Sequence, residues 1–220
     1  MEKRLQELLL AINVKLDPCA HGQLVWYLQE MLRWNRSINL TAIKDPVEAL
    51  EKHLFDCLTL VPFLRGDELL LDMGSGAGLP GIPLKIARPM LRVLSVDSVH
   101  KKIVFQQHVA RTLAFQAFEA KSCRVESLAA TADYRHAFDV VTARALTHLS
   151  QLMEMAEPFL ETGGRLLAMK GPEGDKELDE SDAIRDACGF NVEKIHRMKL
   201  PLSQAERTLI VLKRSVLRPT

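Results

Sequence analysis

The stretch LLLDMGSGAGLPGIPL, residues 69–84, sets a run of leucines ahead of Asp72 and then places glycine at 74, 76, 78 and 81. An apolar run that ends in an acid and passes at once into alternating glycines reads as a buried strand feeding a tight turn into a helix. Without side chains at the turn, a ligand can lie against bare backbone at the helix start. The spacing narrows the ligand. A dinucleotide fingerprint G-x-G-x-x-G counted from Gly74 would need glycine at 79, where Leu79 stands. Counted from Gly76 it finds Gly78 and Gly81, but it puts Pro80 and Gly81 where the helix should open and leaves Asp72 and Gly74 unexplained. The form D-x-G-x-G-x-G, from Asp72 to Gly78, fits without remainder. The turn also lacks the G-K-[ST] ending of a nucleoside-triphosphate loop.

The form without remainder is the loop of S-adenosylmethionine (AdoMet)-dependent methyltransferases, and the rest of the chain tests that reading. From residue 68 onward, short apolar runs alternate with helical stretches, which predicts βαβ units and a mostly parallel sheet. Strands are expected at 68–73, 92–97, 118–123, 138–144, 165–170, 192–200 and 207–214, with helices at about 80–88, 100–114, 148–160 and 175–188. Only PLSQAE separates the last two strands, too little for a crossover helix, so they should form an antiparallel hairpin at the sheet edge. The expected fold is therefore α/β: a Rossmann-like class I AdoMet-dependent methyltransferase with a seven-stranded, mostly parallel sheet. Before it, residues 1–65 show helical spacing, with Leu5, Leu8, Leu9 and Ile12 in one segment, Leu24, Leu28, Met31 and Leu32 in a second, and Leu50, Leu54 and Leu58 in a third. Asp17-Pro18 and Asp45-Pro46 start the second and third helices. The chain divides into an N-terminal helical cap (1–65), a methyltransferase domain (66–215) and a short tail (216–220).

With 220 residues and 47% hydrophobic content, the chain has room for one sizeable core but not for two full domains. No run of eighteen uncharged apolar residues occurs, and the start mixes Glu2, Lys3, Arg4 and Glu7 into its apolar positions, so a cytoplasmic protein without a membrane segment is expected. Cys19, Cys57, Cys123 and Cys188 lie far apart with no C-x-x-C pair, which suggests neither a metal site nor disulfides. A formal net charge of +1 decides nothing about partners, but its distribution is uneven. Residues 173–187 hold seven acids against two bases, whereas 191–220 hold seven bases against two acids. The basic end suits a phosphate backbone or, equally, a solvated hairpin face.

Individual positions follow from the strand ends. Asp97, nineteen residues after Gly78, can accept from both ribose hydroxyls of a bound nucleoside, or cap the helix that begins near 100. Val125 offers an apolar wall for adenine, with Glu126 beside it. The fourth strand ends in VVTARAL, with Arg144 where enzymes that methylate exocyclic amino groups carry [DNS]-P-P-[YFW]. No cysteine falls at the end of the fourth or fifth strand, as pyrimidine carbon-5 methylation requires. The remaining acceptor is one that needs no activation, such as a ring nitrogen with a free lone pair, or one deprotonated elsewhere.

Together, RWNRSINLTAIKDPVEALEKHLFDCL (33–58), LLLDMGSGAGLPGIPLKIA (69–87), VDSVHKKIVF (96–105), CRVESL (123–128), VVTARAL (140–146), LLAMKG (166–171) and ERTLIVLKR (206–214) resemble the RsmG family, also called glucose-inhibited division protein B. The resemblance covers roughly residues 20 to 214. It implies methyl transfer from AdoMet to N7 of a guanine in the 530 loop of 16S ribosomal RNA in the small ribosomal subunit. SGAG and VTARAL stand where many relatives have TGAG or TGPG and ISRA or VSRA, exchanges that keep the small residues and the arginine. By the resemblance, Gly74, Leu79, Val125, Glu126 and Arg144 are cofactor contacts, beside Asp72, Gly76, Gly78 and Asp97 of the motifs. It also implies that Asn39 and His53 of the cap face the site. Arg144 can reach the cofactor carboxylate or the guanine O6 and N7 edge in a fork, or serve as an ion pair holding a loop to the cap. Lys170, at the end of the fifth strand by the pocket mouth, joins this acceptor site and is read as an RNA phosphate contact flanked by Arg124 and Arg207. The rival readings are an NAD-dependent oxidoreductase, a non-catalytic RNA-binding module and a small-molecule methyltransferase.

Overall fold

The structure is a computed structural model that describes residues 1–215, so the expected tail at 216–220 lies outside the described residues. Helix α1 (Glu2–Ala11) buries Leu5, Leu8 and Leu9. Helix α2 (Pro18–Ile38) begins where Asp17 accepts from the Cys19 amide at 2.8 Å, and it ends at Asn39 in the left-handed conformation, φ 46°. Leu24, Leu28 and Met31 are fully buried along its inner face. Asp45 caps α3 (Pro46–Ala49) by accepting from the amides of Val47 and Glu48.

The third cap helix departs from the regular spacing expected of it. Past α3 the chain widens into a π-helical turn, Leu50–Phe55, and narrows again in α4 (Asp56–Leu58). The wider turn shifts the phase of the residues after it, so that Glu51, His53 and Asp56 are buried together with Leu50, Leu54 and Phe55. Three polar side chains thereby enter the molecule from a helix whose apolar spacing marks only its leucines.

The sheet has seven strands: β1 (Leu69–Met73), β2 (Arg92–Asp97), β3 (Phe118–Ser122), β4 (Phe138–Arg144), β5 (Leu160–Lys170), β6 (Phe190–Lys199) and β7 (Glu206–Arg214). Their order is β3-β2-β1-β4-β5-β7-β6, parallel from β3 to β5, with β7 antiparallel to both β5 and β6. The expected terminal hairpin is thus present, and its second strand lies inside its first. Helices α5 (Gly81–Ala87), α6 (His100–Thr112), α7 (Val125–Ala129), α8 (Leu149–Ala156), α9 (Gly174–Asp179) and α10 (Asp182–Ala187) make the crossovers. Strand alternation sends Leu70 to the core under the cap and Leu71 to the core on the opposite face. The core under the cap runs from Leu5 and Leu28 through Ile82 and Phe105 to Leu70 and Val140, so burial is continuous across residue 65.

Three boundaries moved by more than two residues, and α7 is a short helix that the spacing did not mark. Helix α8 stops at Ala156 instead of 160, because Pro158 follows closely and Leu160 already opens β5. Strand β5 therefore starts five residues earlier than expected and passes a register shift opposite Phe138 and Val140. The expected helix over 175–188 is two short ones, broken at Ser181, which is fully buried and donates through Oγ to the Glu177 carbonyl at 2.5 Å.

Candidate functional site

The strand order reverses between β1 and β4, and the glycine loop leaves the carboxyl end of β1 at that switch point, where open α/β sheets bind ligands. Its conformation is held from β2 and α6. The Ser75 amide donates to the Val96 carbonyl at 3.0 Å, and the Gly76 amide to Asp97 Oδ2 at 2.8 Å. Gln106 of α6, fully buried, donates through Nε2 to both Ser75 Oγ and the Gly76 carbonyl at 2.8 Å. Two glycines are required here for distinct reasons. At Gly78 (φ 93°) a Cβ would run into Ile82, and at Gly74 (φ 65°) it would run into Leu146, which reaches over the loop from beyond β4. Above Gly76 nothing lies within 4 Å of where a Cβ would sit.

Asp72 is fully buried; its Oδ2 accepts from the Gly81 amide at 2.8 Å, and its Oδ1 has no partner among the described residues. Burial pushes its pKa up to about 7, against the pull of the Gly81 amide and of Arg144. Of the two roles the sequence left open for Asp97, the structure has the contact at the start of α6. Asp97 Oδ1 accepts from the Val99 amide at the start of α6 and its Oδ2 holds Gly76, which leaves the outer lone pairs of a carboxylate at the end of β2. Val125 is buried at the start of α7, and Glu126 beside it is exposed. Leu79 points elsewhere: its side chain is buried in the core under the cap. This arrangement suits AdoMet. A stripped backbone turn with open space at Gly76, a buried carboxylate oxygen without a partner among the described residues behind it, and acids at or next to the ends of β1 and β2 fit a cationic nucleoside.

Beside the loop lies a second space, a cleft of about 610 Å³ that lines up Thr41, His53, Asp56, Arg144, Lys170 and Arg207. The Arg144 fork is spread across the cap: Nη1 donates to the Lys52 carbonyl at 2.7 Å and lies 3.8 Å from Asp56 Oδ2, while Nη2 donates to His53 Nδ1 at 3.4 Å. Of its two sequence readings, this is the tie between strand and cap. Because a guanidinium only donates, Nδ1 of His53 is an acceptor, and Nε2 carries the hydrogen that goes to Thr41 Oγ1 at 2.8 Å. Burial, and then the charge of Arg144, lowers the His53 pKa to about 4. The imidazole is neutral at any pH near 7.

Several expected residues stand apart from this cleft. Asn39 is exposed and lines a different groove of about 860 Å³ with Arg33, Arg36 and Lys44 on the outer side of the cap. The residues that instead bring the INLTA segment to the site are Asn35 and Thr41: the Asn35 side chain donates to the Thr41 carbonyl and accepts from its amide, both at 2.9 Å. Lys170 does line the cleft, but its ammonium is committed within the fold, to the Thr147 carbonyl at 2.5 Å and to Glu177 at 2.7 Å. Glu177 also accepts from the Leu149 amide, so Lys170 ties the β4–α8 loop and is not a free phosphate contact. Arg207 is likewise paired, Nε to Asp56 Oδ2 at 3.0 Å. Arg124 does not flank Lys170; it is exposed just past β3, four strands away from β5. Thr41, Asp56, Lys52, Leu146 and Glu177 escaped the sequence reading, because neither spacing nor motif sets them apart from solvated or core positions. Among the described residues no group of three or more His, Cys, Asp or Glu side chains could hold a metal ion.

Comparison with known proteins agrees with the geometry. Residues 20–210 match the family model described as GidB, rRNA small subunit methyltransferase G. The chain is 64% identical over 215 residues to the ribosomal RNA small subunit methyltransferase G of Syntrophotalea carbinolica, covering 97% of this chain and 98% of that one. It is 40% identical to the namesake protein of Geotalea uraniireducens, covering 92% of each. Among solved structures, it resembles the Burkholderia thailandensis 1,6-didemethyltoxoflavin-N1-methyltransferase with bound S-adenosylhomocysteine (TM-score 0.58, 16% identity, 73% of this chain and 76% of that one). It also resembles a Geobacter metallireducens precorrin-6y C5,15-methyltransferase (TM-score 0.54, 14% identity, 73% and 87%). At such identities these two structures speak for the shared α/β fold alone, whereas the sequence matches span nearly the whole chain. The chain belongs to the rRNA small subunit methyltransferase G (GidB) family.

Proposed function

We propose that this protein transfers a methyl group from AdoMet to N7 of a guanine in the 530 loop of 16S ribosomal RNA, acting on the small ribosomal subunit in the cytoplasm. The observation that carries the reading is the pairing of the Asp72–Gly78 cradle with an adjoining cleft whose histidine turns its lone-pair nitrogen to Arg144 and, with a pKa lowered to about 4, is only a weak base. Guanine N7 has an in-plane lone pair and no proton, so it needs alignment and not deprotonation. Bound at the loop, AdoMet supplies the methyl group: the S–CH₃ bond breaks as the N7–CH₃ bond forms, and the positive charge passes to the purine. The chain's own contribution is positioning. Leu146 separates the loop from the cleft, Lys170 and Glu177 hold the segment that carries it, and the Arg144 fork fixes the end of β4 against the cap. The name shared by the relatives supports the RNA substrate. Among the described residues no helix is long and apolar enough to cross a membrane.

The test is methyl transfer from labelled AdoMet to small subunits lacking the modification, followed by nuclease digestion and nucleoside mass spectrometry. Label in 7-methylguanosine is expected. Label in another nucleoside would keep the methyltransferase and discard the target.

The cofactor end makes a separate pH prediction. In the free protein Asp72 takes up a proton below about pH 7, while a cation bound at the loop favours its ionised form. AdoMet affinity should therefore rise from about pH 6 to pH 8, by up to tenfold per unit at the acid end, and level off above. The stability effect has the opposite sign. A carboxyl raised in the fold and ordinary when unfolded costs stability as pH climbs from about 4 to 7. Calorimetry in buffers of different ionisation enthalpy should show proton release on binding near pH 6.5 that vanishes in Asp72→Asn. Equal affinity at both ends of the range would refute the coupling.

A further inference from the structure

One buried group in the acceptor cleft takes no part in the positioning described for Arg144, Lys170 and Leu146. Asp56 is 3% exposed and lines the cleft. Its Oδ2 takes the Arg207 hydrogen bond and faces Arg144, but its Oδ1 is shielded from solvent and has no partner among the described residues. A carboxylate oxygen stripped of water is costly to bury unless something donates to it. If Asp56 served only as an anchor for Arg207, its second oxygen would gain nothing from pointing away from every donor. Burial pushes its pKa up and the two guanidinium groups, Arg207 first, pull it down, so the ionised form has charge partners on one side only.

We propose that Asp56 is the residue that selects guanine, its free carboxylate oxygen accepting from the N1–H and 2-amino donors of the target base. This rests on the N7 reading above and deepens it. The two ends of the cleft carry the argument. Leu146, against the glycine loop, marks the end nearest β1, and Asp56 sits between Arg144 at the end of β4 and Arg207 of β7, on the side away from β1. A guanine with N7 turned toward the loop presents its opposite edge toward Asp56, and that edge carries only donors apart from the carbonyl O6 beside them. Adenine offers a lone pair at N1 in the same place, which a carboxylate repels. The pairing also explains why a polar residue is carried inward by a π-helical turn in a helix otherwise marked by buried leucines.

The experiment compares guanosine with inosine, which lacks only the 2-amino group, at the methylated position of rRNA assembled into small subunits. For the wild-type enzyme, kcat/KM should fall about tenfold or more with inosine, the expected effect of losing one hydrogen bond to a charged group. In Asp56→Asn, guanosine should be methylated more slowly and the guanosine-to-inosine ratio should shrink to within about threefold. Arg207→Gln breaks the same ion pair while leaving the carboxylate, and should keep the wild-type ratio. If Asp56→Asn turns over too slowly, the affinities of its S-adenosylhomocysteine complex for the two RNAs replace the rates and should show the same collapse. A wild-type enzyme indifferent to inosine, or an Asp56→Asn variant that discriminates as the wild type does, overturns the assignment. A wild-type enzyme that forms no 7-methylguanosine on the guanosine substrate refutes the underlying N7 reading, and this one falls with it.

Discussion

Replacing Arg144 by alanine is expected to lower kcat/KM for methyl transfer on the order of a thousandfold, about 4 kcal/mol of transition-state stabilisation. The fork joins three things that otherwise have no common support: the carbonyl of Lys52, Nδ1 of His53 and, at 3.8 Å, the carboxylate of Asp56. Without it the cleft keeps a buried carboxylate with one cation fewer and a histidine with an orphaned nitrogen, and the end of β4 loses its tie to the cap. The residue after it, Ala145, is held at φ 49°, so without Arg144 the loop that carries Leu146 is strained at one end and tied only from the other, by Lys170 and Glu177. Lysine should not restore activity, because one ammonium cannot reach acceptors on both arms of the fork. Stability and AdoMet affinity, measured beside the rate, separate the two roles. A variant that loses only about 1 to 2 kcal/mol of stability, binds AdoMet within a few-fold of the wild type and still loses the rate places Arg144 in the acceptor site. Unchanged transfer removes it from the site.

The second large effect is expected from Gly81→Ala, and the reason is space, since the backbone there is not in the left-handed region. A Cβ at residue 81 would stand 2.8 Å from Asp72 Oδ2 and 3.3 Å from Asp72 Cβ. That oxygen is the one the Gly81 amide donates to, and the Asp72 side chain is sealed between strand and helix with no room to swing aside. Relief therefore breaks the one hydrogen bond that this fully buried carboxyl group makes among the described residues. The loss should be about 3 kcal/mol of stability, seen as a lower urea midpoint at constant slope, with AdoMet affinity reduced at least about tenfold. Gly76→Ala is the internal control. Nothing lies within 4 Å of a Cβ there, so only its φ of 58° is charged against it, about 1 kcal/mol. If the two variants were equally stable, the packing argument would be wrong.

Much of this molecule was legible in one dimension, and the parts that were share a cause. Asp72 and the glycines announced the cofactor loop because a strand, a turn and a helix in succession are set by residues next to one another, and Asp97 followed because a strand end sits at a fixed distance from its turn. The seven strands and the terminal hairpin were readable for the same reason, as alternation and the brevity of PLSQAE are local facts. The end of α8 and the break at Ser181 were missed, because the choice between helix and strand over residues 157–164 turns on pairing with β4, and Ser181 breaks its helix from a buried position.

The acceptor cleft is different in kind. The strand end offered Arg144 and the family resemblance placed Asn39 and His53 at the site, yet Asn39 turned to the outer groove while Thr41, two residues on, took the place facing His53. Lys170 and Arg207 looked like free cations in the chain, and folding supplied Glu177 and Asp56 to neutralise them. Asp56 itself gave no sign, as an aspartate between a phenylalanine and a cysteine on a leucine-spaced helix reads as surface until a π-helical turn carries it inward. Local order, turn chemistry and cofactor class depend on neighbours in sequence, which composition and spacing report. The meeting of cap with β4, β5 and β7 depends on packing between segments up to 151 residues apart, and only the assembled core decides which charges it pairs and which oxygens, that of Asp56 among them, it leaves without a partner among the described residues.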